Sequence, residues 1–108
     1  MESHLARVVL VNTEDRNQEI TIDLVVEGRT AKPGLDYFGL WQDKGQEVLC
    51  PFVLDPNGSV DFGNGYEGSD RYYETNIGSL ELAIGLQVLW RSGDSEQTFR
   101  VTGVTQLA

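Results

Sequence analysis

The chain has 108 residues, with 17 Asp and Glu against 8 Lys and Arg and one His, a formal charge of −9. That balance disfavours nucleic acid and anionic membranes as partners and favours basic ones. The length sets a single domain, 1–108, and 40% apolar content is enough for one core. No run approaches the ~20 apolar residues of a membrane-spanning helix. Cys50 is the single cysteine, so no intrachain disulfide can form, and its place in VLCPFVL predicts a buried, inert thiol. The start, MESHLARVVLV, has an early Glu2 and lacks a basic region and a small-residue cleavage site, which gives the expectation of a cytoplasmic protein.

Residues 5–11, LARVVLV, are nearly all apolar and predict a central strand covered on both faces, or a strand start. The polar turn 13–18 follows. Ile20, Ile22, Leu24 and Val26 then alternate with Glu19, Thr21, Asp23 and Glu27, the pattern of a half-buried strand. Gly28, Pro33 and Gly34 mark a loop over 28–34. In 35–45 the spacing of Leu35, Phe38 and Trp41 permits a short helical turn, while Gly39 and the aromatics fit a strand equally well. EVLCPFVLD (47–55) reads as a strand in which Pro51 removes a donor, so it belongs at an edge or a bulge. Asp55-Pro56-Asn57-Gly58 is a turn, and 60–62 returns from it. Residues 63–79 read as a long surface loop. Leu80, Leu82, Ile84, Leu86, Val88 and Trp90 repeat at period two, which predicts a strand with a kink at Gly85. A hairpin turn at 92–95 leads into a last strand through Phe99 and Val101. These elements predict a mostly-β chain: an antiparallel β-sandwich or small barrel of six to seven strands, with at most a short helical turn.

Little in the chain points to catalysis. The lone His4 lies near a terminus, zinc sites need several Cys or His, and no GxxxxGK[ST] or GxGxxG phosphate loop occurs. GNGYEG (63–68) lacks a strand–turn–helix setting, and no two carboxylates are singled out for glycoside hydrolysis. Asp55, Asn57, Ser59 and Asp61 place oxygens at alternate positions. A calcium loop of the EF-hand type would need Gly where Val60 stands and Glu where Tyr66 stands; an irregular site of Asp55, Asp61 and Glu67 is the alternative. The chain is therefore expected to be a non-enzyme with no cofactor and no resident metal.

The acidic surface carries the functional expectation. Glu19, Asp23 and Glu27 form one row on the second strand. The span 46–74 holds Glu47, Asp55, Asp61, Glu67, Asp70 and Glu74 against Arg71 alone. It also holds Tyr66, Tyr72 and Tyr73, large contact groups of low entropic cost. The predicted partner-binding residues are Asp61, Tyr66, Glu67, Asp70, Tyr72, Tyr73 and Glu74. Trp90 is in register with a core face. Trp41 is open to a second reading, in which an exposed Trp and Tyr stack on a sugar ring.

Residues 74–107 carry Thr75-Asn76-Ile77, Gly85 before a strand, a Gly93-Asp94 turn and a closing Phe99-Arg100-Val101-Thr102 strand. In this third of the chain the sequence resembles small bacterial toxin-immunity proteins. The resemblance implies an acidic plug that neutralises a basic protein partner, a toxin or nuclease domain, by occlusion. The alternatives are a phage-type inhibitor that mimics the charge of nucleic acid, a carbohydrate- or calcium-binding module, and a structural subunit.

Overall fold

In a computed structural model of the chain, residues 3–63, 73–93 and 95–108 are described. Its foundation is the hairpin of β1 (Ser3–Asn12) and β2 (Gln18–Glu27). Ala6, Val8 and Leu10 face Leu24, Ile22 and Ile20 across an antiparallel register. All six are buried on one side of the pair. Strict two-residue alternation does this, because successive side chains of a strand leave on opposite faces. The same alternation corrects the expectation that 5–11 is covered on both faces. Leu5, Arg7, Val9 and Val11 all point outward, and Leu5 and Arg7 are exposed.

The remaining strands follow as a meander: β3 (Thr30–Ala31), β4 (Tyr37–Asp43), β5 (Val48–Leu54), β6 (Ser59–Asp61), β7 (Tyr73–Thr75), β8 (Gln87–Ser92) and β9 (Ser95–Gln106), with one 3₁₀ turn at Ile77–Ser79. Each long strand pairs with its sequence neighbours, and β9 returns to pair with β1. Because β1 also pairs with β2, eight strands close into an antiparallel up-and-down barrel, and β3 is an additional strand on β2. The small barrel is thus the correct one of the two expected architectures, with nine strands among the described residues in place of six to seven. The two extra strands, β3 and β7, are two and three residues long. That is too short for alternation to show, so both fall within the loops that the sequence predicts over 28–34 and 63–79. The ambiguous segment 35–45 resolves as strand β4, not a helical turn.

The period-two run 80–90 is strand only from Gln87. Leu80, Leu82 and Leu86 do pack against the core. Their backbone, however, crosses the far end of the barrel, where the Leu82 N–H donates to the Arg29 carbonyl (2.8 Å) and Gly85 turns at φ 91°. Apolar alternation therefore marks partly buried positions here without a ladder, and it fails at Ile84, which is exposed. Pro51 meets its expectation. The Asp55 N–H donates to Ser59 on β6, so Pro51's nitrogen, four residues earlier, faces the same side. β6 pairs β5 only at Val53 and Leu54, so Pro51 lies past its end, at a local edge.

An eight-stranded barrel has an interior just wide enough for side chains to fill or for one small ligand. Aliphatic side chains from β1, β2, β8 and β9 fill most of it, with Phe99 fully buried among them. Phe52 occupies the middle, 5.7 Å from Phe62 and 5.5 Å from Trp90 between ring centroids, and Trp90 continues to Phe99 at 6.1 Å. Room for Phe52 comes from Gly39, its partner on β4: a Cβ at Gly39 would lie 2.3 Å from the Phe52 ring. Gly39→Ala should destabilise the fold by about 1–3 kcal/mol, because Phe52 is locked between two further rings and cannot retreat. Gly78→Ala, with nothing within 4 Å, should be close to neutral in the same thermal-denaturation measurement.

Tyr37 is buried beneath the β2–β4 connection, and its hydroxyl donates to the carbonyls of Val25 and Lys32. Burial raises its pKa above the ordinary 10.0, and the charge of Glu27 adds to the rise. A group whose folded pKa is raised contributes stability that is full below pH 10.0 and lost as pH climbs through the folded value. Unfolding of the wild type should therefore steepen above pH 10, and Tyr37→Phe should flatten that limb in urea titrations at rising pH.

Candidate functional site at the barrel mouth

The two ends of the barrel differ. On three strands the inward row turns from apolar to polar at the same end. Ile20 gives way to Gln18 on β2, Trp90 to Ser92 on β8, and Phe99 to Gln97 and Ser95 on β9. β4 contributes Trp41 to this end, and Phe62 and Tyr73 close it as the chain leaves β6 and enters β7. These residues surround a cavity of about 200 Å³. Most of its walls are half-buried, so it opens to solvent. Phe62 and Tyr73 meet edge to face at 5.0 Å and 76°, and Phe52 and Trp90, which back the cavity, cross at 71°. The rings thus form walls at steep angles to one another, not a flat stack.

A short network fixes one polar group at the mouth. Asn12 is buried, and its Oδ1 accepts the Glu14 N–H (2.9 Å). Since a backbone N–H can only donate, this sets the Asn12 amide so that Nδ2 donates to Gln18 Oε1 (2.9 Å). Gln18 is left with its NH₂ as the free end. Buried Asp43, opposite Gln18 in the register, accepts the Gly45 and Gln46 N–H groups and closes the β4–β5 turn. Among the described lining residues of the cavity none carries a formal charge.

The predicted partner-binding residues divide. Tyr73 lines the mouth, 5.0 Å from Phe62. Glu74, next in sequence, points outward and pairs with Arg91 at 3.3 Å; Arg91 also reaches Glu96 at 3.3 Å. Asp61 is outward on β6, where its Oδ1 accepts the Gly63 N–H (2.7 Å). Tyr66, Glu67, Asp70 and Tyr72 lie outside the described residues. The carboxylate row on β2 is present as expected, but each member has a cation: Glu19 with Lys44 (2.6 Å), Asp23 with Arg7 (2.8 Å) and Glu27 with Lys32 (3.9 Å). Of the oxygens considered for calcium, Asp55 Oδ1 accepts the N–H groups of Asn57 and Ser59, and Asp61 is engaged as above. Both serve their own turns, and among the described residues no three potential ligands cluster.

Cys50 and Trp90 are buried as read from the sequence, at 3% and 7% exposure. Trp41 is half-buried in the mouth, whose lining also includes Tyr73. Sequence reasoning missed Gln18, Phe62, Ser92, Ser95 and Gln97. The signal was available, because each stands two or four residues from a core residue and so on the same face. The far end also has a hollow, about 320 Å³, but it is walled largely by the 55–58 turn and the 32–35 loop, and the hydroxyl of Tyr37 and the carboxylate of Asp55 are already bonded there.

Comparison of the chain with protein-family models, with curated proteins and with solved structures finds no match.

The Arg7–Asp23 pair lends itself to a pH test. Arg7 holds the Asp23 carboxyl below its ordinary 3.8, first through two hydrogen bonds; partial burial opposes this and the guanidinium charge adds to it. The depressed value means a stability contribution present above pH 3.8 and lost as pH falls through the folded value. Arg7→Gln should move the Asp23 carboxyl titration upward by NMR, and the stability gap between variant and wild type should close in strong acid. Both side chains are well exposed, so the gap at neutral pH is small.

Proposed function

We propose that this protein is a non-catalytic binding module whose site is the barrel mouth, and that it holds a small ligand there. The observation that carries the reading is the convergence of Trp41, Phe62, Tyr73 and Trp90 with two amides and two hydroxyls on one open cavity of about 200 Å³. Apolar walls with a few fixed polar groups are the general make-up of ligand sites. The lining offers binding groups but no carboxylate, imidazole or thiol for proton transfer or nucleophilic attack among its described residues. Binding is thereby favoured over turnover.

Thermal-shift screening with small molecules is the test. A ligand at 100 times its Kd should stabilise the fold by about 2.7 kcal/mol. The shift should vanish in Ser95→Arg, which places a long cation at the exposed rim of the cavity. A shift that survives Ser95→Arg would locate the ligand elsewhere.

A second reading is the neutralisation of a basic protein partner, a toxin or nuclease domain. It is supported by the charge of −9 and by one backbone feature. Among the described residues Glu47 is the one non-glycine with positive φ, 56°. Glycine is the residue that such a position ordinarily takes, so the backbone does not call for a carboxylate at this end of the barrel. Glu47→Gly should therefore leave stability equal or raise it by a few tenths of a kcal/mol. In pull-downs at graded salt, identified by mass spectrometry, the same variant should retain less of any basic partner. Equal retention by Glu47→Gly and wild type would remove Glu47 from the interface.

A further inference from the structure

We infer that the ligand of the mouth is an uncharged sugar ring, a pyranose held between aromatic walls and hydrogen-bonded by Gln18. This rests on the mouth being a ligand site. Three observations select the class. First, the chain carries 25 formally charged side chains, yet none of the described lining residues does, so no formal countercharge among them balances a charged ligand. Second, an anion would also enter against the field of a −9 protein. Third, the polar groups are matched to hydroxyls. The Asn12–Gln18 network leaves the Gln18 NH₂ as a donor, and a bare ammonium or guanidinium, having only donors of its own, gains nothing from it. A sugar hydroxyl both accepts and donates, so it satisfies Gln18 and the hydroxyls of Ser92 and Ser95 alike.

The aromatic walls complete the fit. A pyranose presents apolar C–H faces and polar edges, and the mouth presents rings with amides and hydroxyls between them. A purely apolar ligand would leave those amides and hydroxyls without partners, a recurring cost of mismatched polar sites. An aromatic-walled hollow of about 200 Å³ is small, which limits the ligand to a single ring and the affinity of a free monosaccharide to the order of 1 mM.

Both tryptophans of the chain line the cavity, so intrinsic fluorescence reports directly on it. The experiment is a titration of the full-length protein with glucose, galactose, mannose and N-acetylglucosamine. Cyclohexanol serves as an apolar ring and choline as a cation. At least one monosaccharide should give a saturable spectral shift. Gln18→Glu, which keeps the shape but replaces the donor with a carboxylate, should weaken it about tenfold. Trp41→Leu, checked for an unchanged far-UV circular dichroism spectrum, should weaken it by at least as much, and Ser95→Arg should abolish it. Disaccharides run alongside separate a free sugar from the end of a glycan. Saturable binding of cyclohexanol or choline with none of the sugars would overturn the sugar assignment and leave the ligand-binding reading standing. Silence from every probe would overturn both.

Discussion

Closure of the sheet through β1 is the constraint on which the rest depends. β1 is held on one side by β2 and on the other by β9, and these two ladders join the first and last strands of the meander. Closure turns one face of every strand into an interior and leaves the barrel's main strands without long free edges. The register along β1 slips at Val9–Leu10, the single irregularity in that seam, where β9 gains a residue beside Gly103. A bulge bends and twists the strand that carries it. Here it lets β9 curve back onto β1 while Phe99 and Val101 stay in the core.

Once closed, the interior must be filled, and it is filled unevenly. β1 and β2 contribute aliphatic side chains along their inner rows from Ala6 to Leu10 and from Ile20 to Val26. Phe52 takes the centre because Gly39 gives up its side chain opposite. Towards one end the residues become larger and more polar, and four large rings cannot pack against one another as tightly as Val and Leu do. The mouth is the space that results. One of its polar members, Gln18, is held by a turn just outside it. The β1–β2 turn fixes Gln18 through Asn12, and the β4–β5 turn is fixed by Asp43. Site and scaffold thus share the same few hydrogen bonds.

The charge of the chain is handled mainly on the outside. Among the described residues, five ion pairs tie Arg7, Lys32, Lys44 and Arg91 to carboxylates on neighbouring strands or connections, so much of the apparent acidic row on β2 is locally neutral. The outer face of β4 and β5 is different in kind. Phe38 and Leu49 stand there at 71% and 66% exposure, alongside Leu40, Pro51 and Val53, with no charge at these outward positions. Acidity in the sequence was therefore a poor guide to where the surface is acidic, because pairing depends on which strands lie side by side.

The sequence by itself determined what depends on a two-residue repeat and on turn chemistry. The burial of Ile20, Ile22, Leu24 and Val26, the inward placement of Trp90, the Asp55–Gly58 turn and the burial of Cys50 are all local consequences of residue order. Alternation also placed Leu80 and Leu82 against the core, though not outside any ladder. What only the tertiary structure decided is which ends meet. Barrel or sandwich, the pairing that makes a strand of Tyr73–Thr75, and the meeting of Trp41 with Tyr73 and Trp90 all depend on contacts between distant parts of the chain, such as the bond from the Thr13 N–H to the Thr98 carbonyl. Period two places a side chain on one face or the other. It carries no information on which strand will lie alongside, and a mouth assembled from five strands exists only after that choice is made.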